Sequence, residues 1–265
     1  MRQAVLSPLR LEEDSEVKYV IAVIFCTYAF AQVQAQTFSC PRRTEDILNY
    51  FVMAYPSRVD QNMGPGNANP IYSSIVPDYG NNSYASTGYF IWTKSPSGYP
   101  WDVKTFDNNF IYDRSTELGW NDPTSFKRFN KDLAMSQRCV RVDRAGTTLK
   151  IPYSNTQYQS YSQCMPQVTQ PLGYVVNSLS VPTWVNVGNV GMTRSRYFTY
   201  KYSCDQNYAN CQYMEVYSLG FGIGLFDWKY YVNEQGVFVL QQESVINNKQ
   251  GGQTTPSLPC TSSYQ

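Results

Sequence analysis

Two-residue alternation is plainest in "RSRYFTYKYS" (194–203), where Phe198, Tyr200 and Tyr202 fall on one face and Tyr197, Thr199 and Lys201 on the other. That is the period of a half-buried strand. "YFIWTK" (89–94), "WDVKTF" (101–106), "TTLKIPY" (147–153) and "LGYVVNSLSV" (172–181) are further short, ring-rich or β-branched runs that predict strands. "CQYMEVYSLGFGIGLFDWKYYVNEQGVFVLQQESV" (211–245) predicts three consecutive strands. They break at Gly220, Gly222 and Gly224 and again at "NEQG" (233–236). Short connections of this kind pair strands antiparallel.

Helical spacing is confined to two places. "TEDILNYFVMAYP" (44–56) predicts a helix capped by Thr44, with Glu45 and Asp46 at its positive end. Ile47, Leu48, Phe51 and Val52 form its apolar stripe, and Pro56 is its stop. "NDPTSFKRF" (121–129) predicts a short helix with Asp122 as cap and Pro123 in the first turn. Between them, residues 56–89 are rich in Gly, Pro, Asn and Ser and predict a long irregular segment. The fold expected is all-β, a mainly antiparallel sandwich or open barrel with one short N-terminal helix, stapled by disulfides.

The start of the chain has a different pattern. Lys18 precedes an apolar run from Tyr19 to Ala31, and Val33-Gln34-Ala35 has the small-x-small form of a cleavage site. This is the layout of a secretory signal peptide, and the run is shorter than the roughly 20 residues of a membrane span. The four acids of "LEEDSE" fit poorly before such a run, so Val17 is the start we expect, with 1–16 an upstream extension. The division expected is therefore a leader (1–35, cleaved after Ala35), a helix and irregular segment (36–90), and a β domain (91–265). The mature chain is then secreted, periplasmic or extracellular, and not an integral membrane protein.

Cysteine content agrees with export. Cys26 leaves with the leader, and Cys40, Cys139, Cys164, Cys204, Cys211 and Cys260 remain. An even count behind a leader predicts three disulfides, with 15 possible pairings. The pairing we favour is Cys204–Cys211, closing "CDQNYANC". Removing Arg2, Arg10 and Lys18 from 21 basic residues, and Glu12, Glu13, Asp14 and Glu16 from 20 acidic ones, leaves a net charge near +2. That balance gives no reason to expect nucleic acid as a partner. It also weighs against the basic–aromatic alternation of "TRSRYFTYKY" as a nucleic-acid strand.

The chain has no histidine. Ser-His-Asp and Cys-His catalysis and the histidine-bearing zinc and iron sites are closed to it. No CxxC pair is present either, and the expectation is no metal site and no cofactor. Asp205, Asn207 and Asn210 within the Cys204–Cys211 loop lack the glycine and closing acid of an EF-hand and predict a polar turn. "GFGIG" (220–224) lacks GxGxxG spacing and predicts a tight bend. Asn81-Asn82-Ser83 is a glycosylation acceptor only in a eukaryotic host.

Candidate chemistry gathers in "SGYPWDVKTFDNNFIYDRSTELGW" (97–120). Asp107-Asn108-Asn109 is turn chemistry. A two-residue loop at Asn108-Asn109 sets Lys104 opposite Asp113; a three-residue loop sets Asp102 opposite Arg114. Asp113 and Glu117 on one straight strand lie about 13 Å apart at 3.3 Å per residue, too far for a glycosidase pair. Asp102 and Glu117, or either with Glu215 or Asp227, are the carboxylate candidates. Tyr99, Trp101, Tyr112 and Trp120 are candidates for a platform on which the apolar faces of sugars stack. The leading expectation is a secreted, non-catalytic binding protein for glycan or cell-surface polymer. The alternatives are a polysaccharide hydrolase or lyase using carboxylates or tyrosine, and a structural or interaction protein of the cell envelope.

Overall fold

The computed structural model describes residues 38–52, 57–62, 68–77, 88–93, 100–117, 125–159 and 165–251. They are almost entirely strand. The elements in order are β1 (Thr44–Asp46), α1 (Leu48–Phe51), β2 (Ser57–Asn62), β3 (Ala68–Pro77), β4 (Gly88–Thr93), β5 (Pro100–Phe106), β6 (Phe110–Glu117) and β7 (Phe126–Gln137). There follow β8 (Cys139–Arg141), β9 (Leu149–Tyr153), β10 (Asn155–Tyr158), β11 (Pro166–Thr169), β12 (Gly173–Leu179) and β13 (Thr183–Val187). The last four, β14 (Gly191–Cys204), β15 (Cys211–Gly220), β16 (Gly224–Glu234) and β17 (Val237–Gly251), are the longest consecutive run.

All pairings are antiparallel, as the short connections predict. One sheet runs β11-β10-β7-β6-β5-β4-β3-β2-β17-β16-β15-β14-β12-β9, with β13 added alongside β14. Its β9 terminus runs directly into β10, the second strand at the other end. β9 pairs with β12, β10 pairs with β7, and only Ser154 separates them. Asn130 of β7 fixes that corner, donating its backbone N–H to Ser154 O at 2.9 Å and its Nδ2–H to Ser154 Oγ at 2.8 Å. The chain thus links the two ends of the strand order through the β9–β10 corner, while β11 and β13 each pair on one side only.

Three local expectations are corrected. Residues 44–52, the described part of the helix expected over 44–56, do not form a capped helix; 53–56 lie outside the described residues. Thr44–Asp46 pairs with β8, and only one helical turn, α1, follows. The Thr44 hydroxyl is spent on Pro41 O, and Asp46 Oδ1 accepts the Leu48 N–H instead. The apolar stripe nevertheless does its work: Ile47, Leu48, Phe51 and Val52 are all buried, with Phe51 edge-on to Phe198 at 5.8 Å. The helix expected over 121–129 is replaced from Phe126 onward by β7; Asp122 and Pro123 lie outside the described residues. The segment 56–89 holds β2, β3 and the first two residues of β4, all in the main sheet.

The glycine breaks fall where the pattern puts them. β15 ends at Gly220 and β16 begins at Gly224, with Gly222 at φ +73°. A Cβ on Gly220 would meet the Ile223 side chain at 2.4 Å. Cys204 pairs with Cys211, and Cys40 with Cys139. Cys164 and Cys260 lie outside the described residues. No helix among the described residues is long and apolar enough to cross a membrane.

Candidate functional site

The hairpin at 107–110 adopts the two-residue loop. Asp107 N–H donates to Phe110 O at 3.1 Å, and Lys104 stands opposite Asp113. The alternative register fails, since Asp102 faces Thr116. Asp107 is a turn cap: its Oδ1 accepts the N–H groups of Asn109 and Phe110, both at 2.7 Å. Its Oδ2 accepts the Tyr112 hydroxyl at 2.8 Å, and Tyr112 is half-buried beside Phe110. Burial and the Asp107 carboxylate hold the Tyr112 phenol well above the usual range. Tyr112 is therefore a fastening of the turn. Trp101 and Glu117 lie on β5 and β6, while Tyr99 and Trp120 lie outside the described residues.

Of the candidate acids, Asp102 belongs to a buried charge cluster. Lys104 Nζ sits 2.9 Å from Asp102 Oδ2 and 3.2 Å from Asp113 Oδ2. Lys104 is 0% exposed, Asp102 2% and Asp113 7%. Asp102 Oδ1 and Asp113 Oδ1 accept no hydrogen bond from the described residues. Burial pushes the Asp113 carboxyl up to about 7 against the pull of Lys104. The lysine itself is held above its ordinary value: burial works against its charge, but the two carboxylates outweigh it. The two Oδ2 atoms are brought close together by that shared ammonium. It occupies the space between them, so a sugar oxygen cannot enter without expelling it.

Asp227 is placed on the opposite face of β16 from Trp228, where its Oδ2 accepts the Ser218 hydroxyl at 3.0 Å and lies 3.5 Å from Lys229. It does not approach Asp102 as a working partner in any described contact.

Glu215 is the candidate that the fold equips. Strand register sets three rungs across one face of β14–β17. The first is Tyr202–Tyr213–Val232–Val239, the second Tyr200–Glu215–Tyr230–Gln242, the third Phe198–Tyr217–Trp228–Ser244. The third rung is buried at Phe198, Tyr217 and Ser244 and half-buried at Trp228, and it packs toward α1 through Phe198 and Phe51. The first is half-buried at Tyr202 and Tyr213 and exposed at Val239, so the face opens at that end. Its rings pack in a row, from 7° between planes at Trp228–Tyr230 to 34° at Tyr202–Tyr213. Centroids are 4.9 Å apart for Tyr200–Tyr202, 5.2 Å for Tyr202–Tyr213, 6.1 Å for Tyr213–Tyr230 and 6.3 Å for Trp228–Tyr230.

Glu215 sits half-buried at the centre of this face. Its Oε2 accepts the Tyr217 hydroxyl at 2.6 Å and the Trp228 indole N–H at 2.8 Å, and the Tyr202 hydroxyl also bonds its carboxylate. Burial first, then the Glu215 charge, hold the Tyr202 and Tyr217 phenols well above their usual range, so both stay protonated donors. Lys127, from β7 on the facing wall, stands over the Tyr202 ring at 5.8 Å. One rung beyond the first, the Cys204–Cys211 disulfide clamps β14 to β15.

Sequence reasoning named Glu215 but not Tyr200, Tyr202, Tyr213, Tyr217, Trp228 or Tyr230 as its company. The alternation of 198–202 carried half of that information; the register of β15 against β14 carried the rest. Among the described residues no group of three or more Cys, Asp or Glu stands close enough to hold a metal ion. Asp205 shows why the cysteine loop is a polar turn. Its two oxygens accept the N–H groups of Asn207, Ala209 and Asn210 and the Asn210 side-chain amide. No protein-family model matches the chain, and no curated protein or solved structure matches it.

Proposed function

We propose that this chain is a secreted, disulfide-stapled binding protein that holds a glycan, or a sugar-bearing cell-surface polymer, on the inner face of β14–β17. The observation that carries this reading is the row of contacting rings Tyr202, Tyr213, Tyr230 and Trp228, half-buried and flanked by Glu215 and Gln242. Rings with one apolar face and a polar tip suit a ligand whose C–H faces are apolar and whose hydroxyls bond at the rim. Glu215, held by the neutral donors Tyr217 and Trp228, is positioned to accept from sugar hydroxyls.

The test is a glycan array probed with the full chain, followed by titration of the best hits against intrinsic tryptophan fluorescence. Binding that is lost in Tyr213→Ala and Trp228→Ala, with the fold retained by circular dichroism, supports the reading. Absence of binding to any glycan overturns it. Release of reducing sugar, assayed in parallel, replaces it with the hydrolase or lyase reading.

A further inference from the structure

The other strand carboxylates of the described interior each touch a cation. Asp102 and Asp113 share Lys104, Asp132 pairs with Arg114 at 3.3 Å, and Asp227 lies beside Lys229. Glu215 differs. Its three donors, Tyr202, Tyr217 and Trp228, are all neutral, and it makes no ion pair with the described residues. Lys127 is spent over the Tyr202 ring and in the field of Asp113.

A half-buried carboxylate therefore stands without a counter-ion among the described residues, inside a wall of aromatic rings. Ring faces carry negative quadrupole density and attract cations, most strongly when water is excluded. One rung partner adds to this bias. Asn177, fully buried on β12 and directly paired with Tyr200, donates its Nδ2–H to Ala134 O at 2.7 Å, while its Oδ1 accepts no hydrogen bond from the described residues. The second rung thus offers acceptors and π faces, and its own strands supply no cation to them.

We infer that the ligand of this face carries a protonated amine, and that it is an amino sugar or a polymer of amino sugars with free amino groups. The ammonium meets the Glu215 carboxylate, and the adjoining ring faces of Tyr213 and Tyr230 surround its alkyl side. This inference rests on the glycan reading above and narrows it. Acidic saccharides are disfavoured at this position by repulsion from Glu215, and neutral N-acetylated ones lose the ion pair.

The test compares oligomers of glucosamine, N-acetylglucosamine and glucuronic acid, equal in length, by calorimetric titration into the full chain at pH 6. The expected result is at least tenfold tighter binding of the glucosamine oligomer, with a preference that shrinks as salt rises. In Glu215→Gln the glucosamine/N-acetylglucosamine ratio falls toward one; in Glu215→Asp, which keeps the charge, much of the ratio returns. Circular dichroism and melting of both variants establish that they fold. Equal or tighter binding of the N-acetylated or acidic oligomer overturns the amine assignment and leaves the glycan reading standing. Choline binding as tightly as the glucosamine oligomer overturns the saccharide assignment. Absence of binding by all of them overturns both.

Discussion

Lys104 of β5 lies directly across from Asp113 of β6, its ammonium 3.2 Å from one carboxylate oxygen and without solvent exposure. An exposed cross-strand pair of this kind contributes at most about 1 kcal/mol. Buried, it behaves differently: removing one partner leaves an uncompensated charge in the interior, at about 3–5 kcal/mol. Lys104→Met is expected to lower the unfolding free energy by about that amount in urea titrations. Replacing all three members, with Asp102→Asn and Asp113→Asn added, should recover most of the loss, because no charge is then left unpaired.

The same cluster sets a pH dependence. Burial raises the Asp113 carboxyl to about 7 from its ordinary 3.8, so the folded chain holds a proton that the unfolded chain releases. With Asp113 neutral, Asp102 and Lys104 balance. The stabilisation from this group is full below about pH 4 and is lost as pH rises through about 7. Melting curves taken across that window should show stability falling with pH in the parent chain relative to Asp113→Asn, in which the difference is abolished. A flat comparison between the two would contradict the burial of a protonated Asp113.

Much of this architecture is legible from local pattern. The strands of 194–245 are set by two-residue alternation, and their breaks by glycine and by "NEQG", because those signals act over a few residues. The helix at 44–56 misleads because Thr44–Asp46 answers to a distant partner: Glu45 pairs with Val140 of β8, and tertiary pairing overrides the cap signal. Residues 57–62 and 68–77 read as irregular because Pro and Asn are poor strand formers, yet neighbours on both sides recruit them into the sheet. The site is the hardest part to read. Glu215 meets Trp228 only through the register of β15 against β16, and the bulge between Ser218 and Leu219 shifts that register further along the pair. The 23 tyrosines of the composition do not themselves say which ones share a face.

Arg196 ties α1 and β1 to the sheet. Fully buried, it donates Nε–H to Glu45 Oε1 at 3.0 Å and Nη2–H to the same oxygen at 2.7 Å, and reaches the carbonyls of Arg141, Arg144 and Ser180. Lysine keeps the charge but has no planar fork to serve four acceptors. Arg196→Lys is expected to leave two or more buried acceptors unpaired, at about 1–3 kcal/mol each. The measurement is the shift in denaturation midpoint, with an unchanged slope showing that the effect is on the folded state.

The Cys204–Cys211 disulfide couples stability to binding. It closes a loop of seven residues' separation, and the chain-entropy model assigns about 2–3 kcal/mol to such a closure. Asp205 already organises that loop through its backbone N–H groups, so the turn survives loss of the bridge and the strands below it loosen first. The rung immediately below is Tyr202–Tyr213, the half-buried mouth of the ring face. The paired variant Cys204→Ser/Cys211→Ser is therefore expected to melt lower and also to weaken ligand binding beyond what its stability loss explains at a temperature where it is fully folded. Hydrogen exchange at Tyr202 and Tyr213 should rise, while exchange at Phe198 and Tyr217, two rungs deeper against Phe51, stays slow. Uniform exchange along β14 and β15, or binding unchanged in the folded variant, would show that the clamp acts on global stability alone.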